Sequence, residues 1–366
     1  MEEQVEGCVQ MLSKIFVLVL SVFFVISCGG STENTMNGGN NNANSDWSID
    51  SNFIQDGGPG KDGIPSLDQP NFQSIDNTTY MFASDLIIGI KSGDKIKGYP
   101  HKILDWHEVV NDSLENEKFV LSYCPLTGSA VAWDINNDTG DTEFGVSGLL
   151  YNSNLILYDR NTGSNWPQML MQSANGSKKG TFATQKVIFE TTWEKFQLMY
   201  PQAQVLSENT GFSRNYDDYP YGNYRTGDKL LFNVENDDDS RLHKKERVLG
   251  VKVGSSTKAY NISAFSSDLE VINDSIRNTA IVIAGSKDDK YALAFERTVS
   301  DGTVLEFSAV YNQLPIIMSD NEDNLWDING TAVSGPRAGE QLVSPFSYIV
   351  YWFAWAAFYT DAPIYQ

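Results

Sequence analysis

The chain repeats itself, and over its 366 residues nothing constrains the fold more. Ile88-Gly89-Ile90-Lys91, Lys97-Gly98-Tyr99 and Glu108-Val109-Val110-Asn111-Asp112-Ser113 return as Leu249-Gly250-Val251-Lys252, Lys258-Ala259-Tyr260 and Glu270-Val271-Ile272-Asn273-Asp274-Ser275. The separation is 161 positions for Gly89 with Gly250 and for Tyr99 with Tyr260, and 162 for Asp112 with Asp274. Glu143-Phe144 matches Glu306-Phe307, Trp166 matches Trp326, and Trp193, Tyr200 and Ala203 match Trp352, Tyr359 and Ala362. Copies of about 120 residues that keep register predict an internal duplication with two similar subdomains, since each copy must bring the same side chains to a core. The first copy, with its lead-in, is expected over 57–235 and the second over 236–366.

Within each copy the apolar segments are short, rich in β-branched and aromatic residues, and bounded by Gly, Asn and Asp. Residues 86–90, 119–123, 131–133, 155–158 and 186–189 therefore read as strands. A helix is expected over 192–200, where Trp193, Phe196 and Tyr200 recur at helical spacing. Its counterpart, 349–359, is apolar almost all round and reads as a buried helix, too short for a membrane span. The expected class is α+β, mainly β, with short helices.

The first 28 residues read as a lipoprotein signal peptide. Lys14 precedes an apolar run over 15–26, too short to span a bilayer as a mature helix, with Met11 as an alternative start. Val25-Ile26-Ser27-Cys28 has the form of a lipobox, which makes Cys28 the expected site of lipidation and the membrane the first expected partner. Gly29 and Gly30 follow in place of the Asp that retains lipoproteins in an inner membrane. A membrane-anchored lipoprotein facing the periplasm, the outer membrane or the cell surface is expected. Asn, Gly, Ser and Thr dominate from 29 to about 50, so 29–56 is expected to be a flexible tether.

Lys and Arg number 26 against 47 Asp and Glu, a formal net charge of −21 that repels a phosphate backbone and argues against nucleic acid as a partner. Cysteine usage is more informative. Cys8 lies in the leader and Cys28 is taken by lipid, which leaves Cys124 as the last thiol, with no partner for an internal disulfide. It is either a buried small hydrophobe or a reactive or metal-binding group.

Trp106-His107-Glu108 precedes Asn111-Asp112, and the strand over 119–123 runs into Cys124-Pro125-Leu126-Thr127-Gly128, which would set the thiol at a sheet edge facing a cleft. In the second copy Leu269 stands in place of His107, and Gly285 or Ser286 in place of Cys124. Duplicated halves share what the fold needs, so His107 and Cys124 are enriched for function or for contact between the halves. Imidazole and thiolate are natural ligands of copper or zinc, and together they also make an activated nucleophile. The expected ligand site is a cleft of the first copy with His107 and Cys124 as metal ligands, Asp159 and Arg160 lining it, and a transition metal or small molecule bound. A thiol- and histidine-dependent enzyme, redox or hydrolytic, is the first alternative. The second is a structural protein that contacts envelope proteins or glycans through the aromatic segment 216–224. Gly145-Val146-Ser147-Gly148-Leu149 is not a hydrolase elbow, because Leu149 stands where the second glycine is required.

Six motifs in order carry a resemblance: Asp62-Gly63-Ile64-Pro65, Trp106-His107-Glu108-Val109-Val110-Asn111-Asp112, Tyr123-Cys124-Pro125-Leu126, Phe144-Gly145-Val146-Ser147-Gly148, Tyr158-Asp159-Arg160 and Tyr219-Pro220-Tyr221-Gly222. From about Gly57 to its C-terminus the chain resembles the bacterial family catalogued as domain of unknown function 3179. The resemblance implies an exported or lipid-anchored protein and assigns no activity. It also implies Cys-Pro-Leu-Cys-Gly where this chain has Thr127, so any chemistry needing two sulfurs is altered here.

Overall fold

Alternating burial in short segments builds a protein that is mainly β, with three short α-helices among the described residues. The computed structural model describes residues 46–366 except 137 and 138. The lipobox, Cys28 and the tether up to residue 45 lie outside the described residues. Structure begins earlier than the expected boundary at 57. Ile54–Asp56 is a strand paired with the strand Phe144–Tyr151, so the chain is already bound where a free tether was expected.

Both halves run through the same order of pairing. In the first, Leu86–Ser92 pairs antiparallel with Lys95–Pro100 and with Phe189–Thr192, and Gln204–Leu206 joins the second of these in parallel. In the second, Arg247–Val253 pairs antiparallel with Ser256–Asn261 and Phe346–Tyr351, and Ile364–Tyr365 joins in parallel. A three-stranded meander follows in each: Val109–Leu114, Glu117–Cys124 and Ser129–Asp134, then Glu270–Ile276, Thr279–Ser286 and Tyr291–Glu296. A third sheet closes each half, around Phe144–Tyr151 with Asn154–Asp159 and around Phe307–Ala309 with Ile316–Asp320.

Corresponding residues make corresponding bonds. The Tyr99 hydroxyl donates to Asp112 at 2.8 Å beside Lys97, and the Tyr260 hydroxyl donates to Asp274 at 2.7 Å beside Lys258. The Asn111 amide bridges the backbone of Phe144, and that of Asn273 the backbone of Phe307. Gly89 and Gly250 recur because a Cβ there would stand 2.1 Å from the Phe189 ring in one half and from the Trp355 ring in the other. Only glycine admits so close an approach.

The cores, however, are not divided between the halves. Helix α2, Trp193–Met199, leaves the first half and places Trp193, Phe196 and Met199 in one core with Val282, Phe295 and Trp326 of the second. Helix α3, Trp352–Phe358, returns the exchange and packs with Trp133, Phe144 and Trp166 of the first. Each fully buried aromatic contributes on the order of 2–3 kcal/mol, so this exchange makes the halves interdependent. Ser45–Gln366 accordingly forms one compact unit. Two segment expectations also change. Residues 186–189 straddle the strands Gln185–Lys186 and Phe189–Thr192 of different sheets, and residues 349–351 finish a strand before α3 begins. Helix α1, His101–His107, carries no periodic apolar stripe long enough to be read and is seen only in the structure.

Candidate functional site

The site begins where α1 stops. Glu108 follows the helix with φ 57°, a left-handed conformation costly for a residue with a Cβ, and turns the chain at once into Val109–Leu114. Its backbone is pinned on both sides, with its N–H donating to Leu104 at 2.8 Å and its carbonyl accepting from Tyr123 at 2.7 Å. The next strand, Glu117–Cys124, is central in its five-stranded sheet, so the thiol lies at the end of a central strand, where it lines a cavity. Its alternation sends Phe119, Leu121 and Tyr123 into the core that holds Ile103 and Leu104 of α1, and Val120 and Cys124 into the opposite one.

Cys124 and Glu108 meet at a cavity of about 70 Å³, whose other polar residue is Tyr221 and whose walls include Ile64, Leu126, Val146 and Leu155. That is room for a few waters or a molecule of a few non-hydrogen atoms. The lead-in segment forms one wall. Gly57 N–H donates to Gly148 O at 2.8 Å, Asp62 N–H to Val146 O at 2.9 Å, and the Tyr158 hydroxyl to Asp62 at 2.6 Å. Gly148, at φ 82°, passes so near Gly60 that a Cβ would sit 2.4 Å from its carbonyl carbon. The segment 219–225 forms the opposite cover. Tyr221 donates to Glu108 Oε1 at 2.8 Å, Tyr224 to Leu126 O at 2.9 Å, and Arg225 pairs with the buried Asp105.

Burial pushes the Glu108 carboxyl up to about 7, with the Tyr221 bond opposing and nearby Asp105 adding to the rise. Burial and then the Glu108 charge push the Cys124 thiol up to about 11. At neutral pH the pocket therefore holds a protonated thiol beside a carboxyl able to give or take a proton, which is what acid–base chemistry or a neutral ligand requires.

His107 does not join them. It is fully buried, Nδ1 donates to Pro65 O at 2.9 Å, and Nε2 accepts from the Tyr216 hydroxyl at 2.7 Å. Burial pulls it down to about 4, so it is a neutral ring with both nitrogens engaged. It belongs with Tyr216 on the α1 side of the sheet, while Cys124 faces the other core. Asp159 is likewise occupied, accepting from Thr162 N–H at 2.6 Å and Trp166 Nε1 at 3.1 Å. Asp320 does the same for Asn324 and Trp326, which marks the role as structural in both halves. Arg160 is held by Asp68 and Glu143 in a separate surface depression.

No cluster of three His, Cys, Asp or Glu residues suited to a metal ion occurs among the described residues. Cys124 and Glu108 supply two donors, fewer than copper or zinc normally needs, so the donor set does not fit the expected metal. Thr127, where the resemblance implies a second sulfur, is buried in a polar network with Ser129, Asn154 and Gln168. Glu108 and Tyr221 are site residues that the sequence reading does not name as such. Both sat inside quoted motifs, and the signal available was that a charged residue and a tyrosine were embedded in them.

A family model described as a protein of unknown function, DUF3179, matches residues 61–362. No curated protein and no solved structure matches the chain.

Proposed function

The chain belongs to the DUF3179 family of unknown function, and from that premise we propose that it is a lipid-anchored envelope protein holding a small, mostly apolar ligand among Glu108, Cys124 and Tyr221. One observation carries the reading. The Cys124 thiol and the nine-tenths-buried Glu108 carboxyl line one small, partly open cavity whose walls are mostly apolar. A few polar groups converging on a mostly apolar cavity, one of them a titratable carboxyl, are the usual arrangement of a small-molecule site, so the three side chains favour a bound ligand. With Glu108 near half protonation at neutral pH, that ligand is neutral and presents a hydrogen-bonding group to the carboxyl. An internal duplication fits the same proposal, because the bonds common to both halves are those of the scaffold while Cys124 has no second-half counterpart.

The test is size-selective access. Methyl methanethiosulfonate and 5,5′-dithiobis(2-nitrobenzoic acid) both need the Cys124 thiolate, so the native-to-urea rate ratio is expected to be at least about tenfold smaller for the bulky reagent, which must also wait for local opening. A native protein inert to the small reagent, or open to both alike, would remove the pocket. The thiol-dependent enzyme is retained as a second reading because Glu108 can exchange a proton near neutral pH. Anchoring has its own check: labelled palmitate is expected to enter the wild type and not Cys28→Ser, and label kept by the variant would remove the anchor.

A further inference from the structure

We propose that the segment 224–229 is a monovalent-cation cage whose cation is the chain's own Lys245, and that this clamp holds the tyrosine segment over the pocket. Lys245 is 7% exposed. Its ammonium donates to the carbonyls of Tyr224, Gly227 and Lys229, the last at 3.1 Å, and lies 3.6 Å from the centroid of the Tyr224 ring. All three N–H bonds thus end on backbone carbonyls, the ligands that also suit ammonium or potassium. No carboxylate pairs with it within 4.0 Å among the described residues, so carbonyl dipoles and a ring face offset the cost of burying the charge.

The position gives the cage its consequence. No strand or helix occurs between Leu206 and Arg247, so the segment depends on side-chain bonds for its place. Two of those bonds, from Tyr221 and Tyr224, end on the pocket-lining Glu108 and Leu126, and a third, from Arg225, ends on Asp105 of α1. Lys245 gathers the return of the same segment and is a positioning residue. Its role as a lid clamp rests on the pocket reading, whereas the cage itself does not.

The experiment uses Lys245→Ala, which vacates the cage, and Lys245→Met, which keeps most of the stem and removes the charge. Both are expected to admit 5,5′-dithiobis(2-nitrobenzoic acid) to Cys124 about tenfold faster than wild type, through more frequent local opening. Ammonium or propylammonium chloride is expected to slow Lys245→Ala back towards wild type and to raise its melting midpoint by mass action, where choline chloride at equal ionic strength does not. Failure of both cations to change either readout, or wild-type behaviour of Lys245→Met, would overturn the cage. If the bulky reagent reaches Cys124 in no variant while ammonium still raises the midpoint, the cage stands and the lid role falls. Should Lys245→Ala not fold, ammonium-dependent recovery of folding in Lys245→Met decides the same question, and its absence would overturn the cage.

Discussion

Replacing Arg247 by methionine is expected to cost the folded protein about 3–5 kcal/mol, because it strands a carboxylate already removed from water. Glu190 is 5% exposed and is held between the Arg247 guanidinium and His101 Nε2, the latter at 3.1 Å. Burial alone would raise its carboxyl, but Arg247 and His101 outweigh it and hold the group down at about 2. A carboxyl so depressed adds stability that is present above its unfolded value near 4.5 and is lost as pH falls towards 2. The shift corresponds to on the order of 3 kcal/mol, consistent with the cost of breaking the pair. Glu190 lies on a first-half strand and Arg247 on a second-half strand, so the pair ties the halves beside the exchanged helices. Urea unfolding of wild type, Arg247→Met, Glu190→Gln and the double variant checks this. Arg247→Met should lose the most, and the double variant should recover part of the loss because no buried charge is left unpaired. A loss below about 1 kcal/mol in Arg247→Met would show that solvent already screens the pair.

Glu108→Gln is expected to become more stable relative to wild type as pH rises, the reverse of what an ordinary surface carboxyl would give. The folded protein holds this proton up to about 7, whereas the unfolded chain releases it near 4.5. The contribution of Glu108 to stability is therefore whole below about 4.5 and fades as pH climbs through 7, by on the order of 3 kcal/mol. Glutamine accepts the same bond from Tyr221 and does not ionise, so its profile lacks that decline. Urea midpoints at pH 5 and pH 8 should separate the two proteins at the higher pH and bring them together at the lower. Removing the charge should also lower the Cys124 thiol, so methyl methanethiosulfonate should react faster with the variant at pH 8. Parallel midpoint curves with unchanged thiol kinetics would show that Glu108 ionises as a solvated group.

Much of the fold was legible without coordinates because it is written in local patterns. Strands over 86–90, 119–123, 131–133 and 155–158 fall within observed strands, and the helix expected over 192–200 is observed as Trp193–Met199. Period-2 burial and turn residues act over a few positions, so they survive whatever packs against them. The buried helix expected over 349–359 is observed as Trp352–Phe358, and only 349–351 differ, because the end of a strand buried on both faces and the start of a buried helix look alike when every residue is apolar.

The candidate site was half legible. Sequence alone singled out Cys124 as the last thiol, the repeat as the scaffold, and the six motifs as a connected set. What it could not decide was orientation. His107 and Cys124 look like partners in one dimension, but the central strand turns alternate side chains to opposite cores, and His107 is spent on Pro65 and Tyr216. Glu108 reaches the thiol because a single left-handed residue after α1 redirects the chain, a backbone choice no composition records. Sequence by itself determined the short strands and the residues that recur in both halves, since each depends on neighbours within a few positions or on identity alone. Tertiary structure decided which faces met, that the helices cross between halves, and that Tyr221 lines a pocket with Glu108 and Cys124 from about 100 residues earlier, because contacts over such separations are set by the packing of whole sheets.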